Sequence, residues 1–188
     1  MNGNQLLLAV TGATGMIYLP SLLHLLREQR VEVHGIISEA GCQVMQLELG
    51  VAPEELAGVA RWYGLREFTA PAASGSSRYA AMIVLPCTTG TLGAVACGYS
   101  GNLIHRAADV MLKERKPLLL AVREAPLNRT HLRNMLALHE AGAIIYPLMP
   151  SFYMQPADLQ EMADHLAARI CNQLGIDVPD QKRWEGLD

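Results

Sequence analysis

The chain has 188 residues, 51% of them hydrophobic and 18% charged, with a formal net charge of −3. That length suits one domain, the weak negative charge excludes a basic nucleic-acid surface, and no apolar run approaches the roughly 20 residues that span a bilayer. So few charges on so short a chain leave more apolar surface than one core hides, which points to contacts between subunits.

The first four residues have no cationic stretch ahead of an apolar one, so no signal peptide is expected. Residues 5–10 are a short apolar run ending at glycines, the pattern of a buried strand. Residues 15–29 carry Ile17, Leu22, Leu25 and Leu26 at helical spacing, and residues 31–38 read as a β-branched second strand. Helices are expected over 39–47 and 53–62, then a Pro/Gly/Ser loop over 69–77. A third strand follows at 80–85, helices at 89–96 and 102–115, and a fourth strand at 117–123. The chain closes with a helix at 130–141, a fifth strand at 143–146 and an amphipathic helix at 157–174. Such alternation predicts a single α/β domain spanning 1–188: a three-layer, Rossmann-like, doubly wound sheet, mostly or wholly parallel. Ligands of such sheets bind beyond the carboxyl ends of the strands.

Five segments lie at those ends. Thr11-Gly12-Ala13-Thr14-Gly15 joins a strand to a helix, where small residues and free N–H groups admit a phosphate; a merely tight turn is the alternative. Taken alone it also resembles the TGATGxxG start of extended short-chain dehydrogenases, but Tyr18 stands at the third glycine and no tyrosine has a lysine four residues on. Pro86-Cys87-Thr88-Thr89-Gly90-Thr91 offers three hydroxyls that either contact a ligand or cap a helix. Arg106 and Lys113, seven residues apart on one predicted helix, share a face with Asp109 between them, as anion ligands or as a solvated ion ladder. Arg123-Glu124 emerges from a buried strand, either as an acid–base group or as a structural pair. Tyr153 follows Phe152 after the last strand and can stack or donate a hydrogen bond. The cysteines Cys42, Cys87, Cys97 and Cys171 have no paired spacing, as reduced thiols of a cytoplasmic protein would. The six histidines form no HxxxH or HExxH, so no metal site is expected.

In order and spacing, the segments LAVTGATG (8–15), ISEA (37–40), ASGSS (73–77), LPCTTGTL (85–92), NLIHRAADVMLKERKPL (102–118), VREAPL (122–127) and MPSFYMQP (149–156) resemble the UbiX-type flavin prenyltransferases over nearly the whole chain. The resemblance implies that reduced FMN, as substrate, meets Gly12, Ala13, Thr14, Ser38, Thr88, Thr89, Gly90, Thr91 and Arg123. It implies that dimethylallyl phosphate is held by Arg106, Lys113, Tyr153 and Arg169 with Phe68 as an apolar wall. It further implies that Thr14, Glu48 and Glu124 take part in the chemistry. The prenylated FMN would pass to a UbiD-type decarboxylase, no metal would be used, and the assembly would be a homododecamer in which the region of about 157–188 makes subunit contacts. The chain departs from the family pattern at Thr14, where serine is usual, at Phe68 for tryptophan, at Leu19 for glycine and at Met154 for histidine. Two competitors follow from these residues. One is a non-catalytic FMN-binding or flavin-delivery subunit. The other is a flavin-dependent cysteine decarboxylase, which uses a histidine ahead of an asparagine-containing loop; no histidine lies between His34 and His105 here.

Overall fold

Strands whose residues are apolar on both faces belong in the middle of a sheet covered on both sides, and that is where the leucine- and valine-rich runs lie. The computed structural model describes residues 5–179 together with Gln181 and Gly186. Its strands are β1 (Gln5–Val10), β2 (Glu32–Ile37), β3 (Val59–Tyr63), β4 (Ala81–Cys87), β5 (Leu118–Val122) and β6 (Ile144–Pro147). They form one sheet in the order β3-β2-β1-β4-β5-β6, with every neighbouring pair parallel. The helices are α1 (Tyr18–Glu28), α2 (Glu39–Leu49), α3 (Thr89–Ala96), α4 (Leu103–Lys113), α5 (Arg129–Glu140) and α6 (Leu159–Gln173).

Side chains alternate along β1 and so feed two cores. Leu6, Leu8 and Val10 pack with α1 and α6, while Leu7 and Ala9 face α3 and α4. The three-layer, wholly parallel architecture agrees with the sequence-based expectation.

One element differs. Residues 53–62 make no helix: Pro53–Glu55 is a single 3-10 turn and Val59–Tyr63 is β3, a strand beyond the five expected. Leu56, Val59, Ala60 and Tyr63 fall at helical spacing, which invites the wrong assignment. Gly58, at φ +103°, breaks the turn, and the β-branched and aromatic side chains of Val59, Trp62 and Tyr63 then suit pairing with β2. Gly35 of β2 lies opposite Trp62, and a Cβ there would overlap the indole ring. Gly35→Ala is expected to cost about 1–3 kcal/mol by forcing Trp62 aside, read as a lowered melting temperature.

Strand order reverses between β1 and β4, so the crevice for a ligand opens at their carboxyl ends. Helix α4 starts at that edge, where Leu103 N–H donates to the Leu65 carbonyl just beyond β3. It then runs back to the opposite edge, ending four residues before β5 begins. Arg106 is therefore in its first turn and Lys113 in its last, about 10 Å further along the axis.

Candidate active site

The crevice is stitched by Thr11. Its buried hydroxyl donates to the Pro86 carbonyl at 2.7 Å and accepts the Thr88 N–H at 2.9 Å, tying the end of β1 to the end of β4. Gly12 follows, and a Cβ there would overlap the side chain of Ala40, so glycine is what lets this loop close against the first turn of α2. Ser38 caps α2 by accepting the Gly41 N–H at 3.0 Å, and Thr88 caps α3 by accepting the Thr91 N–H at 3.2 Å. The capping role of the threonine segment thus holds, and capping leaves the first N–H groups of both helices directed at the crevice. The positive ends of α1, α2 and α3 meet there, an arrangement suited to an anion.

Helix α1 has no side-chain cap of its own. Glu48, from α2, reaches over instead: its Oε2 accepts the N–H groups of Gly15 at 3.0 Å and Met16 at 2.8 Å. Partial burial pushes the Glu48 carboxyl up, but the Thr14 hydroxyl, these two N–H donors and the nearby Arg123 guanidinium together hold it below the usual carboxylate range. On the other side of the crevice, Glu124 accepts the Thr89 hydroxyl at 3.4 Å and the Ala125 N–H at 3.1 Å. Arg123 and Glu124 form no salt bridge with each other among the described residues, so the structural-pair reading fails: Arg123 acts on Glu48 and on Tyr18.

Two tyrosines escape sequence reasoning. Burial pushes the phenols of Tyr18 and Tyr146 up, partly offset by Arg123 at Tyr18 and by Arg169 at Tyr146. The two phenols also act on each other electrostatically. Neither follows a turn signal, and Tyr18 is marked in the sequence only as the residue standing where a dehydrogenase has glycine.

The remaining cations are elsewhere. Arg106 donates from Nε to the Ala73 carbonyl at 3.1 Å and from a terminal nitrogen to Asp109 at 2.9 Å. Lys113 pairs with Glu114 rather than completing a ladder through Asp109, and it lies over Gly75, where a Cβ would overlap it. Both cations are therefore gathered at the 71–77 loop, on the sheet face that carries α3, α4 and α5. Arg169 is exposed on α6, on the opposite face, so one chain does not bring these three cations together. Phe68 and Tyr153 are both about half exposed, at 46% and 57%. Among the described residues no three His, Cys, Asp or Glu side chains are grouped to hold a metal ion, and no helix is long and apolar enough to cross a membrane.

Comparison with known proteins places this geometry. The flavoprotein family model matches residues 1–172. Flavin prenyltransferase UbiX of Pseudomonas aeruginosa is 46% identical, the match covering 96% of this chain and 93% of that protein. AnUbiX, solved in complex with FMN and dimethylallyl pyrophosphate, superposes with a TM-score of 0.94 at 37% identity and 98% coverage of each chain. A dodecameric FMN-dependent UbiX-like decarboxylase from Escherichia coli O157:H7 gives 0.93 at 38% identity, covering 97% of this chain and all of the other.

Proposed function

The chain belongs to the UbiX-type flavin prenyltransferases of the flavoprotein family, and from that we propose that it joins the dimethylallyl group of dimethylallyl phosphate to N5 and C6 of reduced FMN, making prenylated FMN for a UbiD-type decarboxylase. The observation that carries this reading is the crevice itself, where an ionised carboxylate, a threonine hydroxyl, an arginine and the positive ends of helices surround the β1–β4 switch point.

The donor set fits a flavin mononucleotide. Gly12, Ala13 and Thr14, with Ser38 and the Thr88–Thr91 turn, supply N–H and hydroxyl donors for a phosphate and a ribityl chain. Arg123 supplies a cation. Reduced FMN brings a nucleophilic N5 and C6; the protein's part is alignment and charge. Breaking the allylic C–O bond puts negative charge on the departing phosphate. Arg106, Lys113, Arg169 and the Tyr153 hydroxyl stabilise that charge where it develops, the task a divalent cation performs in metal-dependent prenyl transfer. Glu48, through Thr14, and Glu124 move the protons. Phe68 helps keep water from an allylic carbon that carries positive charge.

Because Arg106 and Lys113 lie on one face of the sheet and Arg169 on the other, the complete phosphate site is assembled from more than one copy of the chain. A homododecamer with the region of about 157–188 at its contacts supplies those copies. It also gives a use to the apolar side chains left exposed, among them Leu132 and Leu136 on α5 and Leu159 at the start of α6. Reducing conditions suit the four unpaired thiols, and we place the reaction in the cytoplasm.

The test is the mass of the flavin released after anaerobic incubation with reduced FMN and either dimethylallyl monophosphate or pyrophosphate. A gain of one C5 unit is expected. Recovery of unmodified FMN alone with both donors would leave a flavin carrier, not an enzyme.

A further inference from the structure

Ala72 anchors the start of the 71–77 loop in the core, and Ala73 lies beneath Arg106, but the stretch from Ser74 to Ser77, with Gly75 beneath Lys113, borders open space. Pro71, Ser74, Ser76 and Ser77 line one side of a cavity of about 320 Å³ whose other side includes Gln5, His34 and Tyr79. A segment lying over such a space is placed by its hydrogen bonds rather than by close packing. From the α4 side, Arg106 holds Ala73 and Lys116 Nζ donates to the Ser77 carbonyl at 2.8 Å.

From behind, the loop's exit is fixed by a chain of polar groups that the flavin crevice does not use. Tyr79, two residues past Ser77 and only 2% exposed, has its hydroxyl 2.7 Å from His34 Nδ1 and 3.3 Å from the Tyr63 hydroxyl. His34 Nε2 is 2.7 Å from Glu32 Oε1, which also accepts Gln5 Nε2 at 3.1 Å. A carboxylate only accepts, so the Nε2 N–H donates to Glu32, and Nδ1 faces two phenol oxygens, that of Tyr79 at 2.7 Å and that of Tyr63 at 3.2 Å. Both tyrosine rings meet the imidazole edge-on, with centroids 5.5 and 5.6 Å away.

We propose that Glu32, His34 and Tyr79 form a positioning network for the phosphate end of the prenyl-donor site. By fixing where the chain enters β4, the network sets the height of Ser74 and Gly75 against Arg106 and Lys113. The inference rests on the prenyl-transfer reading above. None of the three residues touches the donor; they act through the loop.

Tyr79→Phe keeps the ring in the core and removes only the hydroxyl. It is expected to raise the KM for dimethylallyl phosphate about 5- to 10-fold, the size expected from one lost hydrogen bond. The kcat should fall by less than the KM rises, since Arg106 and Lys113 keep their charges and only the seat of the donor phosphate shifts, and the Kd for FMN, read by flavin fluorescence, should not change. His34→Ala should act in the same direction. His34→Asn, which returns an acceptor oxygen near the place of Nδ1, should recover part of the loss. An unchanged KM in Tyr79→Phe, a fall in kcat alone, a parallel loss of FMN affinity, or an Asn variant no better than the Ala variant would each overturn the network. Calorimetric titration of dimethylallyl phosphate into the FMN-loaded protein reads the same loop without turnover. Failure of transfer in the unmodified protein therefore counts against the proposed function, and unchanged donor binding in Tyr79→Phe counts against the network.

Discussion

Replacing Glu48 with glutamine is expected to lower kcat about 10²- to 10⁴-fold while FMN still binds. The argument rests on what the two side chains share. An amide oxygen can still accept the N–H groups of Gly15 and Met16, so the turn into α1 keeps its anchor. What is lost is the capacity to take up and return a proton beside Thr14. The structure holds this carboxyl ionised at neutral pH, ready to accept. Linkage gives an independent check. A carboxyl whose pKa is lowered by folding contributes stability that is complete above the ordinary carboxylate range and is lost as pH falls through its depressed folded value. The melting temperature of the unmodified protein should therefore fall more steeply than that of Glu48→Gln on acidification below about pH 4.5. A glutamine variant within tenfold of the parent in kcat would remove Glu48 from the proton path.

The second large effect comes from Lys113. Lys113→Ala is expected to lower kcat about 10²- to 10³-fold, the loss typical of one preorganised stabiliser of developing charge. The fold adds a stronger expectation. Lys113 stands at the amino-edge end of α4, whereas Glu48 and Glu124 stand at the carboxyl edge of a sheet whose central strand, β4, is seven residues long. Roughly 20 Å of strand separates those edges, so a chain's own Lys113 does not serve its own crevice. Chains carrying only Glu48→Gln, co-expressed with chains carrying only Lys113→Ala, should form mixed assemblies that regain activity. With random mixing, about a quarter of the sites draw an intact Glu48 from one copy and an intact Lys113 from another. Mixed assemblies no more active than the two single variants would place both residues within one chain's site.

Most of the fold could be read from apolar patterning, because buried parallel strands and amphipathic helices leave different periods. The strand at Val59–Tyr63 could not, because an edge strand has only part of its surface buried and its residues also satisfy a helical period. The local parts of the site were legible too: Thr88 and Ser38 are capping residue types just after strands, and Gly12 is small where a loop must close. Contacts between distant segments were not. Nothing within Glu39–Leu49 marks Glu48 as the acceptor for two N–H groups more than thirty residues away; only the family resemblance singled it out. Arg106 and Lys113 read equally well as a surface ladder, and only their placement over Ala73 and Gly75 shows them turned to a loop. His34 and Tyr79 carry no signal of their own, because His34 is a lone polar group in β2, Tyr79 stands just ahead of β4, and their meeting depends on how the strands are ordered and aligned.

The Glu48 carboxylate also bears on which nucleotides the fold will accept. A glycine-rich turn between the first strand and the first helix of such a sheet ordinarily seats the pyrophosphate of a dinucleotide. Here that seat already has an occupant of the same charge, supplied by the protein. A dinucleotide would have to expel Glu48 and leave it facing a second anion, while a mononucleotide can direct its single phosphate to the starts of α2 and α3. The carboxylate proposed to handle protons thus also stands against a dinucleotide pyrophosphate, and Glu48→Gln is expected to bind nicotinamide dinucleotides more readily than the unmodified protein, read by titration.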